Sequence, residues 1–303
     1  MKRARRLLLN WYAQNGRAHL PWRQTRDPYR ILVSEFMLQQ TQVDRALPKY
    51  LAFVERFPDF GALACAPTAD VLREWRGLGY NSRAVRLKRI AVEVTERFGG
   101  VMPSGEDALR DLPGIGPYTV AAVRAFAFDL DDAAVDTNVR RVVHRVLHGL
   151  EHPQAVDAAT LDREAHEFVP TGRGHDWNSA VMDLGATICT ARAPKCLLCP
   201  LQTACEAAPI DAAVLQSARV RHARKRSPQD AIPFEKTTRY ARGRIVDRLR
   251  ELPPGERISL LDLHRDVSVN VQRTREEIDA IVKALTRDGL LEMHGELVAL
   301  RTT

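Results

Sequence analysis

The sequence predicts an all-α fold for most of the chain, and two observations support this fold class. Apolar residues recur at intervals of three and four, which is the period of an amphipathic helix. Short loops rich in Gly, Pro and Asp separate these segments, and no alternating strand pattern is found among them. The predicted helical segments are Ile31–Val43, Val71–Trp75, Ala84–Phe98, Tyr118–Phe128 and Val139–Leu150. Residues 1–206 are therefore expected to form one compact helical domain.

Residues 236–303 are predicted to form a small winged-helix-like domain. The expected elements are helices near Tyr240–Leu252, Ser259–Val267 and Arg275–Asp288, and strands at Leu290–Met293 and Leu297–Leu300. Three helices followed by a hairpin is the winged-helix order, in which Arg275–Asp288 would be the recognition helix. Residues 207–235 are predicted to be a basic linker, because from Arg219 to Arg250 eleven Lys or Arg stand against three Asp or Glu.

The composition is that of an ordinary globular protein. The chain has 303 residues, of which 45% are hydrophobic and 27% charged, which excludes collagen, a coiled-coil rod and wholesale disorder. No run approaches the ~18 apolar residues of a membrane span, and no secretory signal is recognisable, so a cytoplasmic, nucleoid-associated protein is expected. The net charge of +7 comes with 38 Arg and only 7 Lys. This surplus fits a nucleic-acid partner, and it also fits a GC-rich genome with no functional meaning.

Four of the five cysteines fall close together in the sequence. Cys189, Cys196, Cys199 and Cys205 have the spacing C-x6-C-x2-C-x5-C. Thiolates gathered within 17 residues indicate a metal ion or an iron–sulfur cluster, although coincidental buried thiols remain an alternative. Structural zinc usually takes two C-x2-C pairs, and only one is present. The fifth, Cys65, is expected to be a small core residue.

A glycine-containing turn stands between two predicted helices at Leu112–Thr119. Gly114 and Gly116 allow close backbone approach and a positive φ, while Pro117 suits the first turn of the next helix. Amide groups at such a helix N-terminus bind anions, and a DNA phosphate is the natural candidate. Two interpretations stay open here, an ordinary helix connection and a phosphate site.

Two carboxylates are candidates for catalysis. Asp136, twenty residues after Gly116, is either the N-cap of the following helix or a carboxylate that stabilises a developing positive charge. Glu35 stands among the apolar residues of Ile31–Met37, where burial would disfavour its charged form, as a general acid near neutral pH requires. The alternative places Glu35 on an exposed helix face. Gln39, Gln40 and Thr41 follow with groups able to hydrogen-bond base edges.

Together these residues resemble the helix–hairpin–helix DNA glycosylases that carry a 4Fe–4S cluster. Five stretches are similar to the adenine DNA glycosylases of the MutY type, and the match covers about residues 8–206. They are Leu20-Pro21-Trp22-Arg23, Ser34–Val43, Gly77-Leu78-Gly79-Tyr80, the Leu112–Thr119 turn and Asn178–Gly185. The resemblance implies a helix–hairpin–helix glycosylase fold with an iron–sulfur loop at 189–205.

The resemblance also implies catalytic roles for three residues. Glu35 would protonate the departing adenine, and Asp136 would stabilise the oxocarbenium-like sugar, as in retaining glycoside hydrolysis. Tyr118 stands where bifunctional relatives carry a Lys nucleophile, and tyrosine cannot form a Schiff base. The expected activity is therefore monofunctional removal of adenine mispaired with 8-oxoguanine or guanine.

Other roles are implied for binding. Residues matching Gln39, Gln40, Thr41 and Tyr80 work around the base opposite the target, and Gly114 and Gly116 belong to the phosphate-binding hairpin. The four cysteines would hold a 4Fe–4S cluster that shapes a DNA-binding loop, where Arg192 and Lys195 could touch phosphate. The implied partner is double-stranded DNA with a mismatched or damaged base pair, bound by a monomer without any membrane.

Departures from the family pattern leave alternatives open. Well-known relatives carry a C-terminal Nudix-like domain that helps recognise 8-oxoguanine, and residues 236–303 are too short for one. Asn81 stands where a second Tyr is frequent. The main alternative function is thymine or uracil removal from T:G or U:G mismatches. A bifunctional glycosylase/lyase and a catalytically silent DNA-binding protein were the further hypotheses.

Overall fold

The computed structural model describes residues 1–150, 156–221 and 232–302, and within them the chain is mostly helical. Up to residue 187 the helices are α1 (Lys2–Asn15), α2 (Pro28–Leu38), α3 (Val43–Arg56), α4 (Phe60–Cys65), α5 (Thr68–Glu74), α6 (Ser82–Phe98), α7 (Glu106–Arg110), α8 (Pro117–Phe128), α9 (Thr137–His148), α10 (Ala158–Phe168) and α11 (Gly174–Thr187). The predicted all-α class is confirmed. The contacts group the chain into two units, residues 1–32 with 103–225, and residues 33–102 with 226–303.

The core of the first unit is built around α9 and α11. Helix α11 packs against α1, α8 and α9, and α9 also packs against α10. Trp177 on α11 is fully buried and meets Phe168 edge to face, with ring centroids 5.7 Å apart. Val139, Val142, Val143 and Val146 form the buried stripe of α9, at the spacing that its sequence predicts.

The second unit begins with the helices α3 to α6. Helix α6 packs on both α4 and α5, and its buried face carries Leu87, Ile90 and Val94. Trp75, which follows α5, is fully buried and meets Phe53 of α3 edge to face at 5.8 Å. Aromatic pairs of this geometry add to the stabilisation that burial itself provides.

The C-terminal part of the second unit has the winged-helix order. Its elements are α13 (Thr238–Arg250), β1 (Ile258–Ser259), α14 (Leu260–Ser268), α15 (Arg275–Arg287), β2 (Leu291–His294) and β3 (Leu297–Leu300). The strands form an antiparallel sheet in the order β1-β3-β2, with Val298 opposite both Ile258 and Met293. Thr274 and Glu277 form a capping box at the start of α15. The strand β1 was not predicted, because two residues are too few to show an alternating pattern.

Arg250 fastens this winged helix to the helices of the same unit. Its guanidinium is buried and donates to the carbonyl of Leu72 at 2.9 Å and to Oδ1 of Asn81 at 2.8 Å. Asp247, one turn earlier on α13, accepts a third hydrogen bond at 2.7 Å. Asn81, the residue that departs from the family pattern, therefore serves as an acceptor for α13. Burial lowers the pKa of Arg250 below its ordinary value, and Asp247 opposes this effect.

Two expectations need correction. The stretch predicted to be a linker contains α12 (Ala212–Arg221), because Asp211 caps it by accepting from the amides of Ala213 and Val214. Residues 222–231 of that stretch lie outside the described residues. Cys65 is exposed and not a core residue, since α4 buries Phe60 and Leu63 and Cys65 ends the helix on another face.

The boundaries at residues 206 and 236 stay a prediction, because the two units group residues by contact and not by continuous sequence. Across residues 1–150, 156–221 and 232–302, every helix falls short of what crossing a membrane requires in length and apolar character.

Replacing Arg250 by Met should destabilise the protein by about 3 kcal/mol, because Asn81, Asp247 and the Leu72 carbonyl lose a buried charged donor. Urea unfolding of the purified variant measures this loss. Arg287→Met is the matched control, since Arg287 lies exposed on α15, and it should change the free energy of unfolding by less than about 0.5 kcal/mol. Equal effects of the two substitutions would contradict this role for Arg250.

Candidate active site

The hairpin of the first unit connects α7 to α8 through residues 111–116. Gly114 has φ +82°, a left-handed conformation that favours glycine, and it is solvent-exposed. Gly116 is the N-cap of α8 and provides no side-chain cap, while Pro117 occupies the first turn. The helix N-terminus thus follows a turn in which two exposed glycines carry no side chain. This local geometry suits an anion, although the phosphate interpretation stays a prediction.

Asp136 caps α9. Its Oδ1 accepts from the backbone amides of Asn138 and Val139 at 2.8 and 2.7 Å, and its Oδ2 accepts from the side-chain amide of Asn138 at 2.9 Å. The N-cap alternative considered for this residue is therefore confirmed. The three hydrogen bonds hold the carboxylate in one orientation, and its half-buried position leaves part of it open to solvent. Capping does not exclude a catalytic role, which stays a prediction.

The chain leading to Asp136 is held by Asn178 of α11. The fully buried Asn178 amide donates to the carbonyls of Asp132 and Gly174, both at 2.8 Å, and its Oδ1 accepts from the Ala134 amide at 2.8 Å. These hydrogen bonds fix the backbone of the turn before Asp136 at Asp132 and at Ala134. The Asn178–Gly185 stretch singled out in the sequence begins with the residue that positions the Asp136 loop.

Gly185, at the other end of this stretch, lies against the start of α9. A Cβ on Gly185 would stand 2.8 Å from the Cβ of Asn138, closer than carbon atoms can pack. Only glycine lets α11 approach the residue that hydrogen-bonds Asp136. Between these positions Asp183 is buried and accepts from Arg17 at 2.6 Å, which pairs the charge. Arg23 of the Leu20–Arg23 stretch donates to Ser179 on the same helix.

Tyr118, the residue at the position of the lyase nucleophile, is half-buried on the first turn of α8. Its ring packs against a small cluster that includes Ile31, Ala122 and Phe126. Packing of this kind fixes the ring and leaves no amine at this position. Tyr118 therefore cannot form the Schiff base that a lysine would form here.

The cysteine segment follows α11 and is tied to α9 by two arginines. Arg141 donates to the Cys189 carbonyl at 2.8 Å and to the Gly185 carbonyl at 2.7 Å. The fully buried Arg145 donates to the Thr190 carbonyl at 2.9 Å, with its Nη1 3.6 Å from the Cys189 Sγ. Helix α9 therefore connects the Asp136 cap at its start to the cysteine segment near its end.

The four thiols influence one another. Burial, together with repulsion by the Cys189, Cys205 and Cys196 thiolates, raises the pKa of Cys199 to about 12. Burial also raises the pKa of Cys205. In the described part of the chain, no three His, Cys, Asp or Glu side chains are arranged to hold a single metal ion. The predicted cluster thus stays a prediction.

Glu35 lies in the second unit, on the last turns of α2. Its side chain is buried, with 9% of the residue exposed. The burial expected from the surrounding apolar residues is confirmed, and the exposed-face alternative is wrong.

Arg83 of α6 organises the residues that follow Glu35. Its buried guanidinium donates to the carbonyls of Phe36 at 2.7 Å, Met37 at 3.1 Å and Gln39 at 2.6 Å. It also donates to Thr41 Oγ1 at 3.3 Å and to the Leu78 and Gly79 carbonyls at 3.0 and 3.1 Å. The end of α2, the turn 39–41 and the loop before Tyr80 therefore meet at one cation.

The backbone at this meeting point is strained. Gln40 has φ +57° and Tyr80 has φ +45°, both in the left-handed region that residues with a side chain rarely adopt. Strain of this kind persists only where the surroundings hold it, and it is concentrated at functional sites. The structure thus brings together Gln39, Gln40, Thr41 and Tyr80, and Glu35 lies one turn before Gln39, in α2.

Arg83 was missed by the sequence analysis, although two signals point to it. It occupies the second position of α6, where a cation opposes the helix dipole. It also falls on the apolar stripe, four and seven residues before Leu87 and Ile90. Burial lowers the pKa of Arg83 to about 10, with nearby Arg86 and Arg239 acting in the same direction, so it stays charged at neutral pH.

Comparison with known proteins identifies the fold and the family. Residues 33–163 match the family model described as HhH-GPD superfamily base excision DNA repair protein. An adenine DNA glycosylase from Mycolicibacterium smegmatis is 39% identical over 301 residues, covering 95% of this chain and 95% of that protein. An adenine DNA glycosylase from Mycobacterium tuberculosis is 40% identical over 250 residues, covering 80% of this chain and 77% of that protein. Among solved structures, a thermostable thymine-DNA glycosylase is 34% identical with a TM-score of 0.62, covering 67% of this chain and 95% of that one.

The helical fold, the hairpin and these similarities define a helix–hairpin–helix DNA glycosylase, an enzyme class of base excision repair. Within the HhH-GPD superfamily, the chain belongs to the family of adenine DNA glycosylases of the MutY type. An alignment that covers 95% of the chain also includes most of residues 236–303, so the mycobacterial relative shares the C-terminal part.

Replacing Arg83 by Met should lower the free energy of unfolding by about 3–5 kcal/mol, because five carbonyls and the Thr41 hydroxyl lose their buried donor. Thermal or urea unfolding provides the measurement. Arg86→Met is the control, since Arg86 lies exposed on α6, three residues after Arg83. Its expected effect is below about 0.5 kcal/mol. An Arg83→Met protein as stable as the control would refute the organising role of Arg83.

Proposed function

We propose that this protein is a monofunctional adenine DNA glycosylase that hydrolyses the N-glycosidic bond of adenine mispaired with 8-oxoguanine or guanine. The observation that carries this proposal is the 39% identity, over 95% of both chains, to a protein named adenine DNA glycosylase. The acid, the carboxylate and the tyrosine that the resemblance assigns to this activity stand at Glu35, Asp136 and Tyr118. Each lies in a local environment compatible with its role.

In the proposed reaction, the bond between the sugar C1′ and the adenine nitrogen breaks, and the base leaves with the bonding electrons. The buried Glu35 gives its proton to a ring nitrogen of the departing adenine. Asp136, oriented by the amides of Asn138 and Val139, stabilises the positive charge that develops on the sugar. Water then adds to C1′, which leaves an abasic site and returns a proton to the enzyme.

Monofunctional chemistry is proposed because Tyr118 offers no amine. A lyase step needs a Schiff base between the sugar and a primary or secondary amine, and a phenol cannot form one. The half-buried tyrosine lies in the first turn of the hairpin helix and packs against the cluster around Ile31 and Phe126. Strand cleavage is therefore left to a separate activity.

The substrate proposed is double-stranded DNA with the target base flipped out of the stack, at a cost of a few kcal/mol that a mismatch reduces. Gln39, Gln40, Thr41 and Tyr80, held together by Arg83, are proposed to contact the opposite base. The exposed hairpin at Gly114 and Gly116 is proposed to bind a phosphate through backbone amides. A monomer is proposed to act on the chromosome in the cytoplasm.

Thymine or uracil removal is the second candidate, since a solved thymine-DNA glycosylase is 34% identical. Tyr118 does not discriminate between the two activities. The adenine assignment is favoured, because the relatives that match over most of the chain are named adenine DNA glycosylase.

We further propose a 4Fe–4S cluster held by Cys189, Cys196, Cys199 and Cys205. Support comes from the donor set, four half-buried thiols that interact electrostatically, and from the buried Arg145 beside Cys189. When bound, the cluster supplies positive charge that stabilises the thiolates, and its role would be to shape the loop and not to take part in hydrolysis. Arg192 and Lys195 on this loop are proposed phosphate contacts. Residues 1–206 are the proposed catalytic domain, with 236–303 joined through 207–235.

Single-turnover excision on four matched duplexes, A:8-oxoguanine, A:G, T:G and U:G, tests the proposed activity. Strands are split with alkali, so that a product without strand cleavage becomes visible. Excision at A, with no nick before alkali, is the expected result. Excision only at T or U would transfer the assignment to the second candidate.

The same assay tests the two carboxylates. Glu35→Gln and Asp136→Asn should each abolish excision while DNA binding remains, because each keeps the shape of the side chain but loses the acid or the charge. Asparagine also caps helices well, so Asp136→Asn should keep its stability, whereas Asp136→Ala should lose about 1 kcal/mol. Substantial excision by either isosteric variant would contradict the assigned roles.

Iron analysis tests the cluster. The purified protein should be brown and contain about four iron atoms per chain, and Cys199→Ser should lower the iron content and the stability together. Cys65→Ser is the matched control, because Cys65 is exposed and distant in sequence, and it should retain full iron content. A colourless protein with one zinc ion would overturn the assignment.

A further inference from the structure

A cleft in the second unit combines the loops around Gln40 and Tyr80 with the first helix of the winged helix. Its volume is about 620 Å³. One side consists of Gln40, Arg45 and residues 78–82, and the other consists of Phe234 and the exposed face of α13. We call this space the α13 cleft.

The α13 cleft is basic. Arg45, Arg239, Arg242 and Arg244 line it, against the single carboxylate of Asp247. Asp247 is already paired with Arg250, and Arg242 is paired with Asp288. In the described part of the chain, no carboxylate comes within ion-pair distance of Arg45, Arg239 or Arg244.

Two features make the positive charge available to a ligand. The Nε of Arg244 is buried and has no acceptor among the described residues. Such a donor gains a hydrogen bond when an anion enters, since leaving a buried polar group unpaired costs about 1–3 kcal/mol. Arg239 is exposed, and arginine presents a planar fork that matches phosphate oxygens.

Arg239 is also held between two aromatic rings. Its guanidinium carbon lies 3.8 Å from the ring centroid of Tyr80 and 5.6 Å from that of Phe234. Both rings are partly exposed, Tyr80 at 37% and Phe234 at 52%. Exposed aromatics interleaved with unpaired arginines are the combination that binds nucleic acid strands, by stacking and by charge.

Helix α15, which corresponds to the recognition helix of a winged helix, differs from α13 in its charge. The exposed start of α15 carries Glu276 and Glu277 beside Arg275. The hydrogen bond from the Thr274 amide holds the pKa of Glu277 below its ordinary value, so it is charged at neutral pH. Carboxylates at the N-terminus of a recognition helix repel the phosphates that this end must approach.

We propose that the α13 cleft binds the phosphodiester backbone of the DNA strand opposite the target base, with Arg239 and Arg244 contacting phosphate. The winged helix thus serves the glycosylase through α13 and not through α15. The choice of strand rests on the proposed function, because Gln40 and Tyr80 line the same cleft and are the proposed contacts of the opposite base. The charge of the cleft does not depend on which base is removed.

The salt dependence of duplex binding tests this proposal. Each of the substitutions Arg239→Gln and Arg244→Gln should make the slope of the logarithm of the binding constant against the logarithm of the salt concentration shallower by about 0.9. This is the contribution of one phosphate contact. Arg239→Lys should retain most of the slope, because it keeps the charge. Lys283→Gln is the matched control, since it removes an exposed cation of α15, and its slope should equal that of the wild type.

Neutral methylphosphonate linkages locate the strand. A duplex with one such linkage opposite the target should bind wild-type protein more weakly, and Arg239→Gln should lose nothing further at the linkage that Arg239 contacts. The same substitution in the target strand should weaken both proteins equally.

The outcomes separate this inference from the proposed function. A reduced slope in Lys283→Gln but not in Arg239→Gln or Arg244→Gln would assign the DNA face to α15, and unchanged slopes in all would remove the winged helix from the interface. Either result overturns the inference. Should Arg244→Gln unfold, the exposed Arg239 still decides the question. Failure of adenine excision together with the expected slopes would refute the function and leave the cleft in place.

Discussion

One buried arginine, Arg83, connects the end of α2 and the turn after it to the loop before Tyr80. Arg83 satisfies the carbonyls of Phe36 and Met37 at the end of α2, where the unpaired carbonyls of a helix favour a positive charge. The same guanidinium reaches the turn at Gln39 and the loop at Gly79. Two chain segments, residues 36–41 and 78–79, therefore share one guanidinium. Without it, the left-handed backbone at Gln40 and Tyr80 would have little to hold it in place.

The first unit follows a related principle with different groups. Asn178 fixes the loop before Asp136, and Asp136 in turn begins α9, whose Arg141 and Arg145 fasten the cysteine segment. Residues that support the fold and residues proposed for chemistry are thus neighbours in one hydrogen-bond network. A stretch that resembles a family motif, Asn178–Gly185, supplies support and not chemistry. Its amide and its glycine position residues next to Asp136, and its buried aspartate pairs with Arg17.

Periodicity was enough to predict the all-α class and the three helices of the winged helix, because each depends on short-range spacing along a helix. For Glu35 the apolar neighbours favoured burial but left an exposed helix face as an alternative. Spacing could not reveal what lies across space. The bonds of Arg83 to Gln39, and of Asn178 to Ala134, join residues more than forty positions apart. The exposure of Cys65 was missed for a similar reason, since a short helix has too few turns to define its buried face. The helix α12 was missed because its amphipathic pattern is weak and its cap at Asp211 is local.

The position of Glu35 on α2 has a consequence for how discrimination would be expressed. Gln39 follows Glu35 by only four positions, and at about 1.5 Å of rise per residue the two are roughly 6 Å apart along the helix end. Arg83 joins that helix end rigidly to the turn proposed to meet the opposite base. A wrong partner base that displaces the turn would therefore also displace the proton donor. Such an enzyme would bind wrong pairs with a similar dissociation constant but cleave them with a lower rate constant. Its fidelity would then arise in the cleavage step, through the position of the end of α2.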